Sequence, residues 1–191
     1  MDIKNAERVV VKVGTSTLTY ETGKLNLRRI EHLARVLCGL KNMGKEVILV
    51  SSGAIVVGMS KLGMEKRPES TREKQAAAAV GQCELINIYG RFFSEYGYNV
   101  AQILLTKDIL DHDHREKNAI NTFNTLLDLG TVPIVNENDS ISIEEIEFGD
   151  NDTLSAIVAV LTKSDVLIIL SDIDGMYDSD PRKNEEARLM R

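Results

Sequence analysis

The sequence predicts an α/β fold in which a largely parallel sheet lies between helices. Three observations carry this reading: short runs rich in Val and Ile recur along the chain, each opens into a turn of small or polar residues, and a stretch of helical apolar period follows. Alternation at this spacing is what βαβ units require.

The first run is RVVVKV at residues 8–13, a buried-strand composition that stops at Gly14. Leu27, Ile30, Leu33, Leu37, Leu40 and Met43 then step by three and four, with Arg28, Glu31 and Arg35 on the other face, and Gly44 closes this helix. EVILV (46–50) is a second strand. It runs into Ser51, Ser52, Gly53 and Ala54, a small-residue turn ahead of another apolar stretch. Residues 72–96 read as a long helix whose aromatics face the core, stopped by Gly97. NVAQILL (99–105) is a strand, 115–129 a helix stopped by Gly130, and 131–135 a strand with NEND (136–139) at its carboxyl end. A polar stretch reaches Gly149, and Asn151 or Asp152 is placed to cap a helix through Leu154, Ile157, Val158 and Leu161. DVLIIL (165–170) is the last strand, with Ser171 and Asp172 in its exit loop.

Composition narrows the function classes. With 43% apolar and 27% charged residues and three prolines, the 191 residues suit one soluble domain with a sizeable core. The balance of 23 Lys+Arg against 29 Asp+Glu leaves a net charge of −6, which argues against broad binding to nucleic acid. Asp2, Lys4, Glu7 and Arg8 interrupt the N-terminus where a signal peptide needs an apolar run, and the apolar stretch at 47–60 is too short to span a bilayer. Cys38 and Cys83 fall in apolar helical patterns, which predicts buried thiols and no disulfide. The cytoplasm is the expected location.

Ligands of parallel sheets collect at the carboxyl ends of the strands. That rule selects Lys12 and Gly14 with the following Thr15 and Ser16, the Ser51–Ala54 turn, NEND, Ser171 with Asp172, and Asp150, Asn151 and Asp152 at a helix start. Lys12 before a Gly-Thr-Ser turn offers a cation and several N–H groups, which suits phosphate oxygens. The alternative is a lysine that merely interrupts a strand. The Ser51–Ala54 turn either holds an anion or packs tightly. Asp139, Asp150 and Asp152, with Asn136, Asn138 and Asn151, suit a cationic substrate group or serve as solvated turn and capping residues.

Competing motifs fail. Residues 39–45 approach a P-loop, but Glu46 stands where Ser or Thr is needed and the segment runs from helix to strand. Asp111, His112, Asp113 and His114 read as the polar start of a helix rather than a metal site. Neither cysteine has a nearby His to activate it.

Taken as a set, VVKVGTS (10–16), VSSGAI (50–55), KQAAAAVGQ (74–82), QILLT (102–106), VPIVNEND (132–139), FGDND followed by LSA (148–156), and SD–DGMY–DPR across 171–182 resemble the amino acid kinase family. Within it they are most similar to the enzymes that phosphorylate the side-chain carboxylate of L-glutamate in the first step of proline synthesis. The resemblance implies a three-layer sandwich. It also implies ATP as phosphoryl donor with Mg²⁺ carried on the nucleotide, L-glutamate as substrate, proline as feedback inhibitor, and a dimer or tetramer. By the same resemblance Lys12 meets the transferring phosphoryl group and Asp152 orients it; Ser52, Gly53, Ala54, Asp139 and Asn151 bind glutamate; and Gly14, Ser171 and Asp172 join Lys12 at ATP.

Ser171 replaces the family's threonine and keeps its hydroxyl. Family members continue into a glycine-rich segment with a second active-site lysine, so residues 1–191 are expected to be the glutamate-binding part of the domain plus the start of its nucleotide-binding part. Two alternatives follow: a kinase of N-acetylglutamate or aspartate, or a truncated chain that binds glutamate or proline without turnover.

Overall fold

Five β-branched runs form the sheet. The computed structural model describes residues 3–20, 22–141, 151–173, 175, 177–179, 181, 184 and 186–190. Its strands are β1 (Arg8–Val13), β2 (Glu46–Val50), β3 (Val100–Leu105), β4 (Val132–Glu137) and β5 (Val166–Leu170), in the order β3-β4-β2-β1-β5. Every pairing between these strands is parallel. The expected α/β fold and the order of its elements are therefore observed.

Helices α1 (Thr15–Leu18), α2 (Leu27–Asn42), α3 (Ala54–Leu62), α4 (Thr71–Ser94), α5 (Asp113–Asp128) and α6 (Asp152–Leu161) supply the outer layers. Val9, Val11, Val13, Val47 and Leu49 face α2, α3 and α4, while Val10, Ile48 and Val50 face α5 and α6. This is the period-2 alternation of a sheet covered on both sides. Each of these fully buried side chains contributes about 1.5–3 kcal/mol of transfer free energy. Among the described residues no helix is long and apolar enough to cross a membrane.

Two sets of contacts fix the elements at the two edges of the sheet. Helices α3 and α4 touch backbone to backbone: a Cβ added at Gly58 would lie 1.7 Å from the Ala77 carbonyl oxygen, and one at Gly81 1.7 Å from the Ala54 carbonyl oxygen. No larger residue fits either position without parting the helices. At the opposite sheet edge the Glu7 and Arg8 N–H groups donate to Asp165 Oδ2 at 2.8 and 2.9 Å, tying the start of β5 to the start of β1.

Two expectations are corrected. β4 continues through Asn136 and Glu137, which pair with Leu104 and Leu105, so half of NEND is strand. Their polarity hid this, but both side chains are buried at a sheet edge lined with other polar groups. Cys38 is a buried thiol as expected; Cys83 is exposed, because the helical turn that buries Gln82, Leu85 and Tyr89 carries its neighbour outward.

Candidate active site

The register lines the strand exits up along one edge. Lys12 pairs with Val50, Val50 with Val135, Val13 with Leu170, and the Ser51 N–H donates to the Val135 carbonyl at 2.8 Å. Residues following β1, β2, β4 and β5 thus emerge side by side, at the edge where parallel sheets bind ligands.

Lys12 shares the alternation of Val10, and its Nζ lies 2.5 Å from Asp152 Oδ1, the first residue of α6. The lysine side chain is 8% exposed and the aspartate 42%. A buried ammonium needs an anionic partner, and here the partner keeps one side open to solvent. Gly14 is extended, and a Cβ there would stand 3.7 Å from Lys12 Nζ and 3.9 Å from the Leu170 carbonyl oxygen. The open space beside the ammonium thus depends on a residue without a side chain.

Gly53 has φ +95°, a left-handed conformation that strains any residue with a Cβ. It turns the chain from β2 into α3 while lying against Thr15, whose Cγ2 would be 3.6 Å from an added Cβ. The N-terminus of α3 therefore abuts the β1 exit, with Ser52 and Ala54 buried beside it.

Asn151 occupies the N-cap position of α6, yet its side chain makes no cap hydrogen bond. That corrects the simple capping expectation. Asn151 Nδ2 instead donates to the Ser51 carbonyl at 2.6 Å and to Asn136 Oδ1 at 2.7 Å. Asn136 Oδ1 also accepts the Glu137 N–H at 2.9 Å. Asn136 Nδ2 is buried with no hydrogen-bond partner among the described residues. A buried donor left unmade costs about 1–3 kcal/mol, so this N–H group suits an acceptor oxygen brought by a ligand.

Asp139 is half-buried just beyond β4, whose exit is held by the Asn138 N–H donating to the Leu105 carbonyl at 2.8 Å. Ser171 and Asp172 are exposed beyond β5, with Ser171 Oγ donating to Asp172 Oδ1 at 3.3 Å. The structure joins Lys12 to Asp152, and Asn151 to the Ser51–Ser52 segment. It brings Gly14 and Gly53 together around Thr15. It sets Asp139 and the Ser171–Asp172 pair towards the two ends of the same row. Gly149, Asp150, Asp174 and Arg182, singled out in the sequence, lie outside the described residues.

Two polar residues of α4 to which the sequence assigns no role also reach the strand exits. Tyr89 OH lies 2.9 Å from Ser51 Oγ, and Gln82 Nε2 donates to the Glu137 carbonyl at 3.2 Å. Burial pushes the Tyr89 phenol well above its ordinary pKa, with the Ser51 hydrogen bond acting the other way. Their spacing of seven residues puts both on one helix face, a signal that also fits plain core packing.

A parallel sheet between helices, with a buried lysine paired to a partly exposed aspartate and glycine turns at its carboxyl edge, defines an α/β protein with a candidate anion site. The amino acid kinase family profile matches residues 7–191, and the chain belongs to that family. It is 62% identical over 193 residues to the glutamate 5-kinase of Clostridium perfringens, covering 99% of this chain and 72% of that protein. It is 56% identical over 188 residues to the glutamate 5-kinase of Clostridium tetani, covering 98% and 70%. The fold is similar to that of a UMP kinase from Bacillus anthracis, with a TM-score of 0.60 at 20% identity, covering 96% of this chain and 72% of that one.

Proposed function

We propose that the protein phosphorylates the side-chain carboxylate of L-glutamate with ATP, giving γ-glutamyl phosphate, the first step of proline synthesis. Supporting this are the relatives named glutamate 5-kinase, which align with nearly the whole chain. The observation in the site that carries it is the placement of a buried cation, Lys12, along one sheet edge from a buried amide donor, Asn136 Nδ2, that has no hydrogen-bond partner among the described residues. An acidic amino acid and a phosphoryl group need those two features together.

The acceptor is already a nucleophile. A glutamate side chain with pKa near 4.3 is ionised at neutral pH, so the protein needs no general base and acts by positioning and charge neutralisation. Lys12 takes up charge on the transferring group, and Asp152 fixes where its ammonium points. The N–H groups around Gly53 and Ala54 support the same charge. Ser52 and Asn151 hold the glutamate, with Asp139 on its α-ammonium. ATP supplies the phosphoryl group; in this reading Gly14, Lys12, Ser171 and Asp172 would hold it, and Mg²⁺ would be carried on its phosphate oxygens.

In this reading residues 1–191 are the amino-acid-binding part of the kinase domain with the start of the nucleotide-binding part. The protein works in the cytoplasm as a homo-oligomer that senses proline. The test is ATP-dependent formation of an acyl phosphate, trapped with hydroxylamine, by the full-length protein given L-glutamate, N-acetylglutamate or aspartate. Hydroxamate from L-glutamate alone is expected. Preference for either other substrate overturns the assignment.

A further inference from the structure

Helix α4 reaches two strand exits with polar groups that the proposed chemistry does not use. Tyr89, 0% exposed, meets Ser51 Oγ at 2.9 Å behind the β2 exit. Gln82, two helical turns earlier, donates to the backbone carbonyl of Glu137 at the end of β4. Asn136 shares the narrow recess bounded by Ser51, Gln82 and Tyr89. The Ser51 carbonyl in turn accepts from Asn151. Ser51 is thus held through its side chain from one layer and through its carbonyl from the other, and Ser52 follows it directly.

We propose that Tyr89 is a positioning residue for the amino-acid site: its hydroxyl, through Ser51, sets the orientation of the Ser51–Ser52 segment that receives the substrate's acidic end. This rests on the glutamate reading above. Three observations favour it over plain core packing. A phenylalanine would fill the same space without needing a partner, whereas this hydroxyl is buried against a second buried hydroxyl. Burial pushes the phenol's pKa up, so the hydroxyl is protonated and can share a hydrogen bond with Ser51 at neutral pH. The hydroxyl meets Ser51, directly before the proposed glutamate-binding Ser52, and lies on the opposite face of the sheet from the Lys12–Asp152 pair, so its effect is expected in the glutamate KM.

The experiment is steady-state kinetics of the full-length protein as wild type, Tyr89→Phe, Ser51→Ala and the double variant, with unfolding midpoints measured alongside. Each single variant is expected to raise the glutamate KM about five- to tenfold. ATP KM and kcat should stay within about twofold of wild type, and the double variant should be no worse than the worse single, because both remove the same hydrogen bond. If Tyr89→Phe does not fold, Ser51→Ala reports the same bond from its other end. An unchanged glutamate KM in folded variants, or a loss confined to kcat, overturns the positioning role while leaving the glutamate reading intact. A wild type with no glutamate-dependent turnover overturns both.

Discussion

Lys12 at the end of β1 and Asp152 at the start of α6 form an ion pair of 2.5 Å in which the cation is buried and the anion is partly open. The two residues lie in separate sequence motifs, and the fold closes them onto one point. A desolvated ammonium held by one carboxylate can stabilise a transition state without reorganising, which is the role proposed for Lys12.

Replacing Lys12 by Ala is expected to lower kcat by about 10²–10³-fold in the full-length protein, with the glutamate KM changed no more than about twofold. Initial rates at saturating ATP check this. Near-normal turnover would remove Lys12 from the chemistry.

Asp139→Asn should act at the other end of the substrate. Loss of a charged partner for the α-ammonium is expected to raise the glutamate KM by about tenfold or more while kcat changes less. An unchanged KM would take Asp139 out of the site.

Gly81→Ala tests the crossing that seats α3. The new methyl would fall 1.7 Å from the Ala54 carbonyl oxygen, a backbone atom that cannot rotate away. The expected cost is about 3 kcal/mol, read as a melting temperature lower by roughly 10 °C. An unchanged midpoint would mean that the helices separate freely.

Asp165→Asn gives a pH-dependent signature. The Arg8 and Glu7 backbone N–H groups hold the Asp165 carboxyl below its ordinary pKa. A depressed folded-state pKa contributes stability that is complete above the unfolded value, about 3.9, and is lost as pH falls through the folded value. The variant should therefore be less stable than wild type at neutral pH, with the difference shrinking below about pH 4. Denaturant midpoints from pH 3 to 7 measure it; a constant difference would contradict the linkage.

Strands and helices were legible because their periods are strong. Val9 to Val13 and Val47 to Val50 alternate between two cores, and Gly44, Gly97 and Gly130 end helices with positive φ, as their places in the pattern predict. The end of β4 was not legible, since Asn136 and Glu137 are buried by neighbours from β3 and α4 that no local pattern reveals. The same holds for the site. Lys12 stands out as a charge in a buried strand, whereas Asn151 reads as a helix cap until Ser51, one hundred residues away, is placed beside it. Tyr89 reads as core because the hydroxyl it meets is 38 residues distant.

Recognition of free L-glutamate at this sheet edge can be measured by titration calorimetry of the protein with L-glutamate, with N-acetylglutamate as control. In the proposed function Asp139 pairs with the positively charged α-amine, which acetylation removes. Saturable binding of L-glutamate and none of the acetylated analogue is expected. A folded sample that binds neither, or that binds both alike, would contradict it.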